Sequence, residues 1–405
     1  MSYLSTPHQA FTAGFYTDPD FDYTVRSLLG FAPAGGSEPG EVLAAIAPIA
    51  DGAVDAWFAG WHSLGLRLFT LGEELQEAGR FDGASGAYLR AANYLAVAVN
   101  SAEKDTLIPT FRQYAAAWDG FIDTTVYAAE RVDIPYEGST LPGYLVSPAD
   151  DGEARATVIL NNGSEGSHAA LWGSTAHAAL ARGYAVLFFD GPGQQSMLFE
   201  RAVTLRHDWE HVVTPVVDFL LGRTDVDGDR LAIYGTGQGG YLVPRALAFE
   251  KRIAAAIIDP AVTDVASFWM SQLPQSLTRS YAEGNREAFD RDMALGMKYS
   301  ASTARSWTRR ARPYQQPGYF ATLQEVSRYT LRDVAAHVTT PCFVAAAEDE
   351  QFWPGQSAEF AAQAGGPTHL QEFTTEEGAN LHCQPLARTL ATQRMFDWLD
   401  ATLEP

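Results

Sequence analysis

Arg230-Leu231-Ala232-Ile233-Tyr234-Gly235-Thr236-Gly237-Gln238-Gly239-Gly240-Tyr241-Leu242-Val243-Pro244-Arg245-Ala246-Leu247 is the stretch that decides how this chain is read. Its first five residues form a short apolar run that predicts a buried strand, and the residues from Tyr241 onward start a helical pattern. A glycine-rich turn lies between them. Strand, sharp turn and helix in that order frame the nucleophile-elbow motif G-x-S-x-G, whose central residue is held on a strained turn with its oxygen clear of the sheet. Here the central residue is Gly237. Glycine enters such backbone conformations at little steric cost, so the turn is expected to persist while the attacking atom is lost.

The same glycines also fit G-x-G-x-x-G through Gly235, Gly237 and Gly240, with Asp259 ending the next apolar run where a dinucleotide-binding unit keeps its ribose-binding acid. Such a fingerprint follows the first strand of its unit. Two strand-like runs, 156–160 and 185–189, precede this one. The downstream chain decides between the readings. After Thr340-Pro341, the run Cys342 to Ala347 ends in Glu348-Asp349-Glu350, an acidic cluster at the carboxyl end of a strand. A further strand-like run, His369 to Phe373, precedes Glu376-Glu377-Gly378-Ala379-Asn380-Leu381-His382, which sets a histidine on a loop before the last helix. Elbow, acid, histidine is the chain order of the α/β-hydrolase fold, so the predicted class is α/β, a mostly parallel sheet with helices on both faces.

The chain has 405 residues, 46% of them hydrophobic, enough for two domains or one large domain with insertions. A formal charge of −21 argues against nucleic acid and anionic membrane surfaces as partners and leaves a small-molecule substrate. Met1 to Ala10 lacks the charged start and apolar core of a secretory signal, and no apolar run reaches membrane-spanning length, so a cytoplasmic location is expected. Cys342 and Cys383 have neither disulfide-framework nor metal-ligand spacing and read as packing residues. No metal or cofactor is expected.

From Glu41 to about Ala129 the sequence is alanine-rich with apolar residues at helical spacing, Val54, Trp57, Phe58, Trp61, Leu64, Leu68 and Leu71 among them, so residues 1–129 are expected to form a helical N-terminal domain. Tyr88, Ala91, Tyr94, Leu95 and Ala98 fall on one face of a further helix, suited to helix packing. From 130 to 405 strands alternate with helices. The period changes at a hairpin signature around Gly138, and residues 261–339 carry no clear strand but many aromatics, which predicts a helical cap inserted ahead of the acid's strand. Arg305, Arg309, Arg310 and Arg312 cluster in that insertion, either to receive a substrate carboxylate or, as the simpler reading, to bridge to acidic groups of this protein. Asp264 and the cap aromatics Trp269, Trp307 and Tyr314 are candidate substrate contacts, with helix capping the plainer role for Asp264.

Taken together, the hairpin Ile134-Pro135-Tyr136-Glu137-Gly138 with Leu141-Pro142-Gly143-Tyr144, the turn Asp190-Gly191-Pro192-Gly193-Gln194, the elbow, and Glu376-Glu377-Gly378 leading to His382-Cys383-Gln384 resemble one group of α/β-hydrolases. These are the enzymes with a helical N-terminal domain typified by dihydropseudooxynicotine hydrolase, together with fermentation-respiration-switch esterase-like proteins and fungal naphthopyrone-pigment hydrolases. The resemblance covers nearly the whole chain. It implies hydrolysis of a carbon–carbon bond beside a ketone, or of an ester, by a serine–histidine–aspartate triad. It carries the aspartate to Asp349, between Glu348 and Glu350, the histidine to His382 and the serine position to Gly237, where the chain departs from the pattern. An oxyanion hole is expected from the backbone N–H of Gln238 and from the loop Asn161 to Gly166, with Ser164 or Gly163 as donor. Family habit also implies a homodimer.

Several explanations of Gly237 stay open. The substitution inactivates a serine hydrolase of aromatic or polyketide-like ketones or esters, or it is native to a lyase or cyclase in which His382, oriented by Asp349, acts as general base beside the oxyanion hole. A ligand-binding protein without catalysis is a third reading.

Overall fold

The computed structural model describes residues 13–164 and 166–404; the stretch Met1 to Ala10, read above for a signal, and Glu165 of the candidate oxyanion loop lie outside the described residues. The sheet starts from a two-residue turn. Glu137 and Gly138 both adopt positive φ, 43° and 77°, which matches the twist of the strands they join. Ala128–Tyr136 (β1) and Ser139–Ser147 (β2) therefore pair antiparallel in unbroken register from Tyr136↔Ser139 to Ala128↔Ser147.

Next come Arg155–Asn161 (β3), Ala185–Phe189 (β4), Val226–Thr236 (β5), Ala255–Asp259 (β6), Cys342–Ala347 (β7) and Thr368–Phe373 (β8). The eight strands lie in the order β1-β2-β4-β3-β5-β6-β7-β8. β2 meets β4 antiparallel and every later pairing is parallel. The central strands are apolar on both faces because both faces are covered. Val158, Leu160, Val186, Phe188, Ala232, Tyr234 and Ile257 join the core under the N-terminal and C-terminal helices. Their sequence neighbours Ile159, Leu187, Phe189, Leu231, Ile233 and Ile258 point the other way, into the core under Glu210–Leu221 and Gly239–Leu247. The two-residue alternation of strands sorts them.

The N-terminal region is helical. Pro19–Gly30 (α1) is set by Asp18, whose carboxylate accepts from Asp20 N and Phe21 N, and by proline in the first turn. Val54–Glu77 (α2), Phe81–Ser101 (α3) and Lys104–Thr124 (α4) follow, with Tyr88, Ala91, Tyr94, Leu95 and Ala98 of α3 all buried. α4 ends just ahead of β1, so the 129/130 division drawn from the sequence falls inside the first strand. Between β6 and β7 the chain forms helices at Ala266–Ser271, Gln275–Ala282, Arg286–Tyr299, Ala301–Ala311 (α5) and Tyr319–Val326, with one isolated bridge, Asp264↔Thr330. Arg388–Leu403 (α6) closes the chain. No helix of the described residues is long and apolar enough to cross a membrane.

Candidate active site

β5 ends at Thr236 and the following helix begins at Gly239, so Gly237 sits on the turn itself. Its φ is +56°, in the left-handed region, and its N–H donates to the Asp259 carbonyl at 2.9 Å. The neighbouring glycines are there because backbones touch. A Cβ on Gly235 would lie 2.6 Å from the Gly239 carbonyl oxygen, one on Gly239 2.9 Å from that of Asn161, and one on Gly240 1.7 Å from that of Pro260. Gly237 differs from all three. A Cβ there would meet only His382 Nε2, at 3.7 Å, an ordinary contact distance.

His382 lies on the loop before α6, held by its own N–H on Gln351 Oε1 at 2.8 Å and by Tyr23 Oη donating to its carbonyl at 3.3 Å. Its Nδ1 faces the Glu350 carboxylate, 2.8 and 2.9 Å from the two oxygens. This corrects the assignment of the acid. Asp349 is turned away, accepting from Asn380 Nδ2 at 2.6 Å. In the turn after β7, the backbone N–H groups of Phe352 and Trp353 draw the Glu350 carboxylate inward at 3.0 and 3.3 Å, onto the imidazole. Burial pushes the imidazole pKa down, but the neighbouring Cys383 and Glu350 outweigh it and hold His382 well above its usual value. Burial raises Glu350, and His382 with the two backbone donors brings it below the usual carboxylate range. Imidazolium and carboxylate thus stabilise each other.

Gln238, whose N–H is the expected oxyanion donor, follows Gly237 at the start of the helix, and its side-chain amide pairs with the Tyr314 hydroxyl at 2.9 and 3.1 Å. Gly163 comes close to that donor, since a Cβ on it would lie 3.2 Å from Gln238 N. Gln194 Nε2 ties the loop down through the carbonyls of Asn162 and Gly163 at 2.8 and 3.0 Å. Gly163 and Ser164 both line the cavity in front of Gly237.

That cavity holds about 310 Å³ and is walled by the elbow, the His382 loop, α1 and the inserted helices. Trp269 lines it. Trp307 does not; it packs edge-on against Trp269 at 4.9 Å. Tyr314 stands behind the wall and acts on the site through Gln238. Asp264 faces a separate groove, where its carboxylate accepts from Ala266 N at 2.9 Å. That bond lies in the turn ahead of Ala266–Ser271, whose N-cap is Val265, and the assignment of Asp264 as a substrate contact is corrected.

Arg309 and Arg310 line the cavity and pair with Asp20 of α1 at 2.9 and 3.5 Å, while Arg305 meets Asp18 at 3.3 Å. Burial works to raise the Asp20 pKa, and the arginines bring it below normal. Arg310 also lies over the Phe268 and Phe352 rings, 4.7 and 5.1 Å from their centroids. The arginine cluster thus bridges α1 to α5.

Sequence reasoning did not single out Glu350 as the partner of His382, nor α1 with Tyr23 and the rings of Phe352 and Trp353 as walls of the cavity. The motif Asp18-Pro19-Asp20, a capping aspartate followed by proline, marks the start of α1 and was the available signal. Asp259 is fully buried and accepts from Arg388 Nη1 at 3.1 Å and Gln384 Nε2 at 3.0 Å. It has no face for a ribose, which removes the dinucleotide reading. Among the described residues no group of three or more His, Cys, Asp or Glu side chains is placed to hold a metal ion.

Comparison with known proteins agrees with the fold. Residues 172–295 match the prolyl oligopeptidase family model. Hydrolase LUC6 of a Fusarium species is 30% identical over 98% of this chain and 98% of its own length. The 20-hydroxy-prefusarin hydrolase FUS2 of Gibberella moniliformis is 34% identical over 68% of each chain. Among solved structures, 2,6-dihydroxy-pseudo-oxynicotine hydrolase superimposes with a TM-score of 0.74 at 20% identity, over 92% of this chain and 95% of that one.

Proposed function

The chain belongs to the α/β-hydrolase family that includes LUC6 and FUS2, and from this premise we propose that its site is built to hydrolyse a small, flat, aromatic or polyketide-like ketone or ester of secondary metabolism, with the attacking serine absent at Gly237. One observation carries the reading. A side chain at Gly237 would enter open space 3.7 Å from His382 Nε2, beside the Gln238 N–H, with Glu350 already on the far nitrogen. Base, orienting acid and oxyanion donor are assembled around a position that holds no oxygen.

The cavity supports the substrate class. Its volume of about 310 Å³ suits a small ligand, and Phe268, Trp269, Phe352 and Trp353 give it flat apolar walls. FUS2 is named for a 20-hydroxy-prefusarin substrate and the structural neighbour for a dihydroxylated pseudo-oxynicotine. With a serine at 237, Oγ attacks the carbonyl as its proton passes to His382 Nε2, Glu350 stabilises the imidazolium, and the Gln238 N–H receives the oxyanion. As the chain stands, no acyl-enzyme forms through residue 237. Catalysis is then limited to what binding, oxyanion stabilisation and a general base supply.

The test is Gly237→Ser. Labelling by a fluorophosphonate probe and turnover of an activated ester, both confined to the serine form, support the reading. A folded serine form that does neither overturns it.

A further inference from the structure

We propose that Cys383 is a nucleophilic side chain of this cavity, served by His382, and that it captures soft electrophiles of the conjugated-ketone class. Cys383 follows His382 directly and holds a φ of +52°, a left-handed conformation that brings its side chain under the elbow. Its Sγ lies 3.5 Å from Thr236 Oγ1 and 3.2 Å from the Asp259 carbonyl oxygen. The residue is half-buried and lines the same cavity as Gly237, Gln238 and His382.

Two further features set it apart from a packing cysteine. Cys383 adjoins His382, and its thiol is among the groups that hold the imidazole above its usual pKa. Arg388, 4% exposed, lines the cavity beside it, donates from Nη1 to the Cys383 carbonyl, and carries a buried Nε–H without an acceptor. Thiol, imidazole, orienting carboxylate and the Arg388–Asp259 pair thus meet at one wall, with a base beside the thiol and a path to the cavity. Cys342 is the internal contrast. It is fully buried in β7, its Sγ donates to the Thr340 carbonyl, and burial pushes its thiol up to about 12.

With an α,β-unsaturated ketone the step balances within the site. Sγ bonds to the β-carbon, the C=C electron pair shifts to give an enolate, and the enolate oxygen accepts from the Gln238 N–H. The thiol proton goes to His382 and from there to the α-carbon, leaving a saturated thioether ketone. Nothing is oxidised or reduced. The ligand class rests on the flat-ketone reading above, whereas the nucleophilicity of Cys383 does not.

Iodoacetamide and 2-cyclohexenone, followed by intact mass and peptide mapping on the folded full-length chain, test this. The expected result is alkylation of Cys383 at least tenfold faster than Cys342, loss of the label in Cys383→Ser, and at least tenfold slowing in His382→Gln and in Glu350→Gln. Two variants of the base guard against one of them failing to fold. An unlabelled Cys383 in folded protein, or equal rates in the folded variants, overturns the proposal. Labelling by iodoacetamide but not by the enone overturns the ketone class. Failure of Gly237→Ser to accept a fluorophosphonate leaves these rates untouched, so the two readings fail separately.

Discussion

Placing serine at position 237 is the perturbation whose size the structure sets most directly. The new Cβ makes a single contact, 3.7 Å from His382 Nε2, so no steric clash opposes it. One C–O bond beyond that Cβ, a hydroxyl pointing at the imidazole falls within hydrogen-bond reach, about 2.6–3.2 Å. The backbone opposes the change. A φ of +56° costs a residue with a Cβ about 1–2 kcal/mol, and the loss of glycine's unfolded-state freedom offsets about 0.4–1 kcal/mol of that. The net destabilisation is therefore about 1 kcal/mol, a small shift in a melting curve. Catalysis moves much further. Removing the serine from a working triad lowers turnover by about a million-fold, leaving about 10³–10⁴ over water from the remaining site. Gly237→Ser is accordingly expected to raise initial rates on p-nitrophenyl acetate by at least about a thousand-fold, with one fluorophosphonate adduct by intact mass. A folded serine form with unchanged turnover, or a glycine form that hydrolyses the ester equally well, refutes the geometry argued here.

Within the Gly237→Ser background, Glu350→Gln is expected to lower kcat by about four orders of magnitude, as loss of the orienting acid does in other triads, while Asp349→Asn stays within a few-fold; kcat measured side by side checks the assignment of the acid. Because His382 titrates above its usual value, the acid-side limb of kcat/KM, where the base becomes protonated, should have its midpoint above about pH 6.5, and a pH profile reads it directly. The same pair links stability to pH. The raised His382 pKa contributes stability that is complete below about pH 6.5 and lost as pH rises through the folded value, whereas the lowered Glu350 pKa contributes stability present above about pH 4.3 and lost as pH falls through its folded value; denaturant titrations of His382→Gln should lose the first of these slopes. Arg388→Met leaves Asp259 buried without its guanidinium and is expected to destabilise the chain by about 3–5 kcal/mol, measured by chemical denaturation.

The strands were legible because a buried parallel sheet demands apolar runs on both faces, and runs such as Ala185 to Phe189 satisfy that without ambiguity. The elbow was legible because three of its glycines stand where backbone meets backbone. The acid was not. Three consecutive acidic residues in a turn differ only in where each side chain points, and that is fixed by the Phe352 and Trp353 N–H groups that capture Glu350. Trp307 and Asp264 failed as substrate contacts for a related reason, since composition places aromatics and acids in the insertion without saying which side faces the cavity. The wall supplied by α1 escaped because its partners, Arg309 and His382, lie hundreds of residues away in the chain.

That separation bears on how the protein is made. Tyr23 meets a loop 359 positions downstream, and Gly30 packs so closely on Pro385 that a Cβ would fall 1.7 Å from its carbonyl oxygen. α1 leaves the ribosome 359 positions ahead of the His382 loop on which it docks. Its apolar side finds cover sooner, Phe21 stacking on Trp57 of α2 with ring centroids 3.9 Å apart, while the side that meets the His382 loop stays open to chaperones and to other nascent chains until that loop emerges. Closure of the cavity thus waits for the His382 loop, and loss of either α1 or that loop removes the same wall.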